Sequence, residues 1–279
     1  MEILRYAAFS ADPAGGNPAG VVLDATGLSD AEMQRLAAEV GYSETAFLVP
    51  DGDGHFKVRY FSPKAEVPFC GHATIASAAA YAERHGPRIL HLETRAGLVE
   101  VSTKMHADGT TTATLISVEP RTKPVSASDL AALLEALRWT SGDLDATLPP
   151  RIAFAGAWHP IVAAASRQRL ANLDYNMAAL ASLMAQRGWT TINLVHRESA
   201  LVFHARNPFP PGGVVEDPAT GAAAAALGGY LRELGLVTPP ATVTVHQGQD
   251  MGRPSLLTVN IPAQPRTGIA VTGAAVALT

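Results

Sequence analysis

The 279-residue chain is 47% hydrophobic and 16% charged, with 24 glycines, 20 prolines and one cysteine. That length suits two ordinary domains or one large barrel, and the composition rules out a disordered or fibrous chain. With 21 Lys and Arg against 25 Asp and Glu, a net charge of −4 and no basic run, nothing marks a nucleic-acid or anionic-membrane surface.

The N-terminal residues Met1-Glu2-Ile3-Leu4-Arg5-Tyr6 lack a basic segment followed by an apolar one, so no signal peptide is expected. After Ala8-Phe9, Asn17-Pro18 and Val21-Val22-Leu23 comes a helix with Met33, Leu36, Ala37 and Val40 on its buried face. Ser29 and Glu32 form its capping box and Gly41 ends it. Strands over residues 42–49 and 56–63 follow. The turn Glu66-Val67-Pro68-Phe69-Cys70-Gly71 then opens a helix over residues 72–81, so alanine-rich that burial on every side is expected. Residues 89–116 are strand-rich, with a hairpin turn at Asp108-Gly109, and the Pro-flanked residues 119–124 read as a junction.

The same order then returns. Ala153-Phe154, His159-Pro160 and Ile161-Val162-Ala163 answer the opening pattern, and a helix carrying Leu180, Leu183 and Met184 stops at Gly188. Strands over residues 189–195 and 201–208 lead to Glu216-Asp217-Pro218-Ala219-Thr220-Gly221 and a second alanine-rich helix through residues 222–226. Residues 241–261 are again strand-rich. Gly41 and Gly188 are 147 residues apart, Pro63 and Pro208 145, and Gly71 and Gly221 150; loop insertions account for the drift. An α+β protein of two pseudo-symmetric halves is expected, each a mostly antiparallel sheet curled around one thin central helix. The longest apolar stretches, residues 152–165 and 221–231, fall short of the ~20 residues that span a bilayer, so the protein reads as soluble.

Two such halves create a cleft, a common place for a ligand. Gly71 and Gly221 open the buried helices, whose unpaired N–H groups could grip one small anion from both sides; alternatively, these glycines only permit tight turns. Glu66 is expected to cap its helix, whereas Asp217 either caps or faces the cleft. Glu44 interrupts an otherwise apolar strand, and its counterpart in the second half is Thr191. Partial burial would raise its pKa into the range of general acid–base work. Cys70 and His72 frame Gly71. A lone cysteine admits no internal disulfide or Cys-rich zinc site and suits a reducing cytoplasm. It is either an inert small hydrophobe or, at a helix N-terminus, a thiol of lowered pKa. The remaining histidines show no metal spacing. No HExxH, GxSxG, P-loop or GxGxxG occurs, so the corresponding hydrolase and nucleotide classes lose their usual support.

Gly16-Asn17-Pro18-Ala19-Gly20-Val21-Val22, Ser43-Glu44-Thr45-Ala46-Phe47, Arg59-Tyr60-Phe61-Ser62-Pro63 and the turns at residues 66–74 and 216–221 together carry a resemblance over nearly the whole chain. The chain resembles the PhzF-like, phenazine-biosynthesis-like proteins of the diaminopimelate epimerase fold. That resemblance implies two barrel-like domains, residues 1–118 with a returning C-terminal strand in 266–279, and residues 119–265, with the active site between them. It also implies a homodimer needing no metal or organic cofactor and a small carboxylate-bearing substrate. Glu44 would be the general acid/base, with His72 and Asp217 lining the pocket. Backbone N–H groups at Gly71 and Gly221 would hold the carboxylate, with Asn17, Ser43 and Thr220 as further substrate contacts. One departure is Ala222, where the phenazine enzyme carries serine; a substrate hydroxyl contact is lost, and the substrate does not carry over.

Two-base racemisation needs one base on each face of the α-carbon, supplied in the related epimerases and proline racemases by paired cysteines. Here Cys70 serves one face and Thr220, a poor base, the other. A single carboxylate suits an isomerase that removes a proton and redelivers it elsewhere. An epimerase or dehydratase using Cys70, and a catalytically idle binding or scaffold protein, are the alternatives.

Overall fold

The computed structural model describes residues 1–278. The chain divides into two compact units. The first comprises Met1–Ile116, Gly252–Leu256 and the residues from Thr272 on; the second comprises Ser117–Met251 and Leu257–Val271.

In the first unit, β1 (Leu4–Ala8) and β2 (Asn17–Val22) precede α1 (Asp30–Val40). Next come β3 (Glu44–Pro50), β4 (His55–Phe61), the two-residue β5 (Glu66–Val67) and α2 (Gly71–His85), then β6 (Ile89–Thr94), β7 (Gly97–Met105) and β8 (Thr111–Ile116). The second unit holds β9 (Arg121–Pro124), α3 (Ala127–Leu137), β10 (Arg151–Phe154), β11 (Trp158–Ala163), α4 (Arg167–Ala171) and α5 (Met177–Arg187). It continues with β12 (Asn193–Ser199), β13 (Val202–Pro208), β14 (Glu216–Asp217), α6 (Gly221–Glu233) and β15 (Ala241–Gln247); β16 (Ser255–Ile261) and β17 (Ala270–Ala277) follow.

Eight strands of the first unit close on themselves. β1 pairs antiparallel with β2, β2 parallel with β3, β3 antiparallel with β4 and β4 parallel with β6. β6, β7 and β8 run antiparallel in turn, β8 pairs with β17, and β17 returns antiparallel to β1. The two parallel steps are those bridged by α1 and α2, because a parallel pair needs a crossover too long for a hairpin. Inside the ring, α2 packs on β1, β2, β3, β7 and β8, and its residues 72–80 are all buried. Alanine makes this possible, since a thin helix fits a barrel bore that larger side chains would overfill. α1 lies outside, with Met33, Leu36 and Ala37 against Val22, Phe47 and Phe61. Its Ser29–Glu32 capping box and left-handed Gly41, at φ 74°, stand where expected.

In the second unit, β9, β10 and β11 run antiparallel, β11 pairs parallel with β12, β12 antiparallel with β13, and β13 parallel with β15. α6 packs on β9, β10 and β11 and is buried over residues 223–231. The repeat extends to register: Phe47 faces Arg59, and Leu194 faces Arg206, both 147 residues further on.

Residues 119–124 are not a free junction, because Arg121–Pro124 pairs with β10. The charged stems there cover aromatic rings, Arg121 at 4.5 Å from the centroid of Phe154 and Lys123 at 4.5 Å from that of Trp158. α3 has no counterpart in the first unit; Leu133 and Leu137 join Trp139, Leu180, Met184 and Trp189 in one cluster.

Close packing of α6 rests on glycine. A Cβ on Gly229 would fall 2.3 Å from the Cβ of Pro120. Gly229→Ala is therefore expected to destabilise by about 1–3 kcal/mol despite alanine's better helix propensity. Urea unfolding checks this, and an unchanged midpoint would show that Pro120 yields freely.

Candidate active site

In the first unit, the start of the buried helix brings together five of the expected residues. Cys70 is the N-cap of α2, in extended geometry, and its side chain makes no capping hydrogen bond. Gly71 and His72 are the first helical residues, and Ser43 and Glu44 stand at the entry to β3. The His72 ring joins them. Its Nε2 lies 3.4 Å from Glu44 Oε2 and 3.3 Å from Ser43 Oγ, and its Nδ1 lies 3.3 Å from Cys70 Sγ. The Glu44 side chain is 14% exposed and that of His72 7%. A carboxylate, an imidazole and a thiol thus share one nearly dry corner, with the ring between the other two.

The corner is held from behind by residues that the sequence reading passed over. Thr74 Oγ1 donates to the Cys70 carbonyl at 2.7 Å, reinforcing the Thr74 N–H bond to the same oxygen at 3.0 Å. Its single hydroxyl proton being so used, Thr74 accepts from Tyr60 Oη at 2.6 Å. Burial pushes the Tyr60 phenol far up, so it stays a donor. Tyr60 belongs to the motif Arg59-Tyr60-Phe61-Ser62-Pro63, and an inward-facing tyrosine needing a partner was the available signal. Asn17 is buried at the start of β2, a strand packed on α2.

Glu66 does not cap α2. It is held by the Arg59 guanidinium at 2.8 and 2.6 Å and by Arg95 at 2.7 Å. Arg59 lies on the neighbouring strand with a fork that matches a carboxylate, and this outcompetes the more distant helix amides. The second unit repeats the pair as Arg206 and Glu216.

Around the second helix start, Thr220 Oγ1 donates to Asp217 Oδ2 at 2.6 Å, so this hydroxyl serves the turn and leaves α6 without a side-chain cap. Gln247, also passed over, ties the turn together. Its amide nitrogen donates to the Asp217 carbonyl at 2.7 Å and Thr220 Oγ1 at 3.0 Å, while its Oε1 accepts from the Thr220 N–H at 3.2 Å. The signal was a glutamine continuing the inward-facing series Val243, Val245 in β15. Gly221 is the first residue of α6 and is buried.

These uncapped starts contrast with the other helices. Ser29, Ser126, Ser166 and Asn176 each place a side-chain oxygen on the first turn of α1, α3, α4 and α5. Neither Gly71 nor Gly221 is among the glycines with positive φ. A tight turn is therefore not what requires glycine at either position. At Gly71 an added Cβ would meet only Phe69 Cε1, at 3.9 Å, an ordinary contact. The first turn of α2 starts without a side-chain cap, and uncapped first-turn N–H groups are donors of the kind that receive a carboxylate.

Thr191, the counterpart of Glu44, is neutral and buried, donating to Asn207 Oδ1 at 2.8 Å and lying 2.8 Å from His159 Nδ1. The second unit thus has no carboxylate at the position equivalent to Glu44. Complete burial pushes the His159 pKa down to about 4. Its value being about 6.5 when unfolded, the unfolded chain takes up the proton first as pH falls. The stabilisation is full above pH 6.5 and is lost progressively down to about pH 4, by up to about 3 kcal/mol. Urea unfolding at pH 7 and pH 4.5 is expected to show this acid loss shrinking in His159→Gln; an identical loss in the variant would reassign it to other groups.

Among the described residues no helix is long and apolar enough to cross a membrane. The family model described as phenazine biosynthesis-like protein, PhzC-PhzF, matches residues 6–279. The chain is 34% identical over 261 residues to the uncharacterized isomerase YfhB of Bacillus subtilis, covering 90% of this chain and 87% of that one. It is 32% identical over 251 residues to the trans-2,3-dihydro-3-hydroxyanthranilate isomerase of Pseudomonas fluorescens, covering 90% and 86%. The crystal structure of a Bacillus anthracis phenazine biosynthesis protein of the PhzF family superposes with a TM-score of 0.89 at 28% identity, over 100% of this chain and 98% of that one.

Proposed function

Since the chain belongs to the phenazine biosynthesis-like protein family, an isomerase family, we propose that it moves a proton on a small carboxylate-bearing substrate by one-base catalysis. Glu44 is the base and then the acid. His72 lines the site beside it and positions its carboxylate, and Ser43 adds a hydrogen bond. The first-turn N–H groups from Gly71 on hold the substrate carboxylate. Asn17 is a further substrate-contacting residue. The same family reading gives a cytoplasmic homodimer acting without a metal or organic cofactor.

The observation that carries this reading is Glu44 Oε2 at 3.4 Å from His72 Nε2, beside an uncapped helix start whose glycine the fold does not require. A carboxylate that takes a proton from carbon works best shielded from water, and the Glu44 side chain is largely buried. A relative named for a hydroxyanthranilate supports the carboxylate class. Incubating the protein with candidate carboxylates in heavy water tests the proposal. Deuterium should enter a C–H position of a true substrate, and a broad panel without exchange would overturn the reading.

Gly71→Ala separates substrate holding from folding. The added methyl meets no obstacle, so the thermal midpoint is expected to hold or rise slightly. The methyl crowds the amide that the carboxylate approaches, so KM should rise about tenfold or more, roughly the 1.4 kcal/mol of one weakened charge-assisted hydrogen bond. Unchanged KM would move the carboxylate elsewhere.

One observation favours a second reading. Cys70 Sγ lies 3.3 Å from His72 Nδ1, within hydrogen-bonding reach of a group that could take its proton, which suits an epimerase or dehydratase with Cys70 as base. Exchange that survives in Glu44→Gln but not in Cys70→Ser selects it.

A further inference from the structure

We propose that Glu44, Cys70 and His72 also form an inhibitory site for zinc, at which Zn2+ replaces the mobile protons of the cluster and arrests the enzyme. One ligating atom from each residue can be chosen so that all three lie within 4.8 Å of one another. Around a tetrahedral zinc, with bonds of about 2.0–2.1 Å to nitrogen and oxygen and about 2.3 Å to sulfur, neighbouring donors sit about 3.3–3.6 Å apart. Here Glu44 Oε2 is 3.4 Å and Cys70 Sγ 3.8 Å from the same His72 Nε2. Two edges of a coordination polyhedron are therefore nearly formed, and a small side-chain rotation brings the thiol and carboxylate together.

Charge and donor type point the same way. With Cys70 giving its S–H proton to solvent, a thiolate, a carboxylate and a neutral imidazole balance the two charges of the ion. This outweighs the roughly half positive charge at the helix start. Sulfur and nitrogen donors select zinc over the oxygen-seeking magnesium and calcium. The donors are also held in place, since Thr74 and Tyr60 fix the turn that carries Cys70. Binding requires Ser43 to give up its 3.3 Å contact with Nε2. Once bound through Glu44, the ion occupies the oxygen needed to accept a proton from carbon. Binding follows from the donor set alone; its inhibitory consequence rests on Glu44 as the base proposed above.

The test uses the full chain, stripped with a chelator. Titration with Co2+ should give one equivalent of binding with a near-ultraviolet thiolate-to-cobalt band, and Zn2+ should bleach it. Cys70→Ser should lose the band, and both Cys70→Ser and Glu44→Gln should weaken Zn2+ at least about tenfold in competition with a chromophoric chelator. Cys70 is the sole cysteine, so bound Zn2+ should also slow its alkylation by iodoacetamide. Circular dichroism confirms that the variants are folded, and the alkylation readout needs no variant. Absence of the cobalt band, or alkylation unaffected by Zn2+, overturns the zinc site. Exchange in chelator-treated protein reports separately on the isomerase reading. Binding without exchange sinks that reading alone, exchange without binding sinks the zinc site alone, and exchange unaffected by bound Zn2+ overturns the inhibition.

Discussion

Replacing Glu44 by glutamine is expected to lower substrate C–H exchange by about 10²–10⁴-fold, the usual contribution of a positioned general base. The amide keeps the shape of the carboxylate and can still hydrogen-bond the His72 ring, so the pocket should keep its form and substrate affinity should change little. The loss should therefore fall on the rate of proton transfer and not on KM, the mark of an interaction realised in the transition state. Initial rates of deuterium incorporation, followed by NMR with the thermal midpoint alongside, check this. A variant that is folded, binds substrate and exchanges at the wild-type rate removes Glu44 from the chemistry.

Arg206→Met should have the largest effect on stability. Arg206 forks onto Glu216 with both side chains almost dry, 10% and 5% exposed. Removing the guanidinium strands a buried carboxylate, a loss of about 3–5 kcal/mol and roughly 10 °C in the unfolding midpoint. The attraction itself is not what is lost; the cost is the uncompensated charge. The double variant Arg206→Met, Glu216→Leu should then recover most of the loss, and failure to recover would assign it to packing. The equivalent change in the first unit, Arg59→Met, should cost less. Arg59 is 25% exposed, and Arg95 remains 2.7 Å from Glu66 to share its charge.

Much of the fold was legible because it repeats. Each half encodes a capped amphipathic helix, a strand pair and an alanine-rich helix, and local patterns of period 3.6 and 2 survive any tertiary context. Glu44, His72 and Gly71 could be singled out because each violates its local pattern: a charge in an apolar strand, a polar residue and a glycine at the head of a buried helix. The role of Glu66 was not legible. An acid ahead of a helix reads as a cap, and only strand register places Arg59 beside it. Tyr60, Thr74 and Gln247 were hidden for the same reason. They act by hydrogen bonds across 14 to 30 residues of sequence, and no spacing rule within a single element encodes those. The strand at Arg121–Pro124 was masked by its prolines and charges, whose stems are turned to packing by Phe154 and Trp158.

The closing strand β17 sets the order in which the chain can mature. On the ribosome, β1 and β8 are made early, but the strand that joins them follows the bulk of the second unit's residues. Until it emerges, β1 and β8, each paired on one side only, leave two strand edges of the first barrel open, the feature that recruits foreign strands. Nascent chains stalled short of Ala270 should therefore engage chaperones or aggregate even when α2 and its surrounding strands are fully synthesised. Such late, long-range closure also predicts slow refolding in vitro. A strand made after the bulk of the second unit thus seals the compartment around the helix bearing His72.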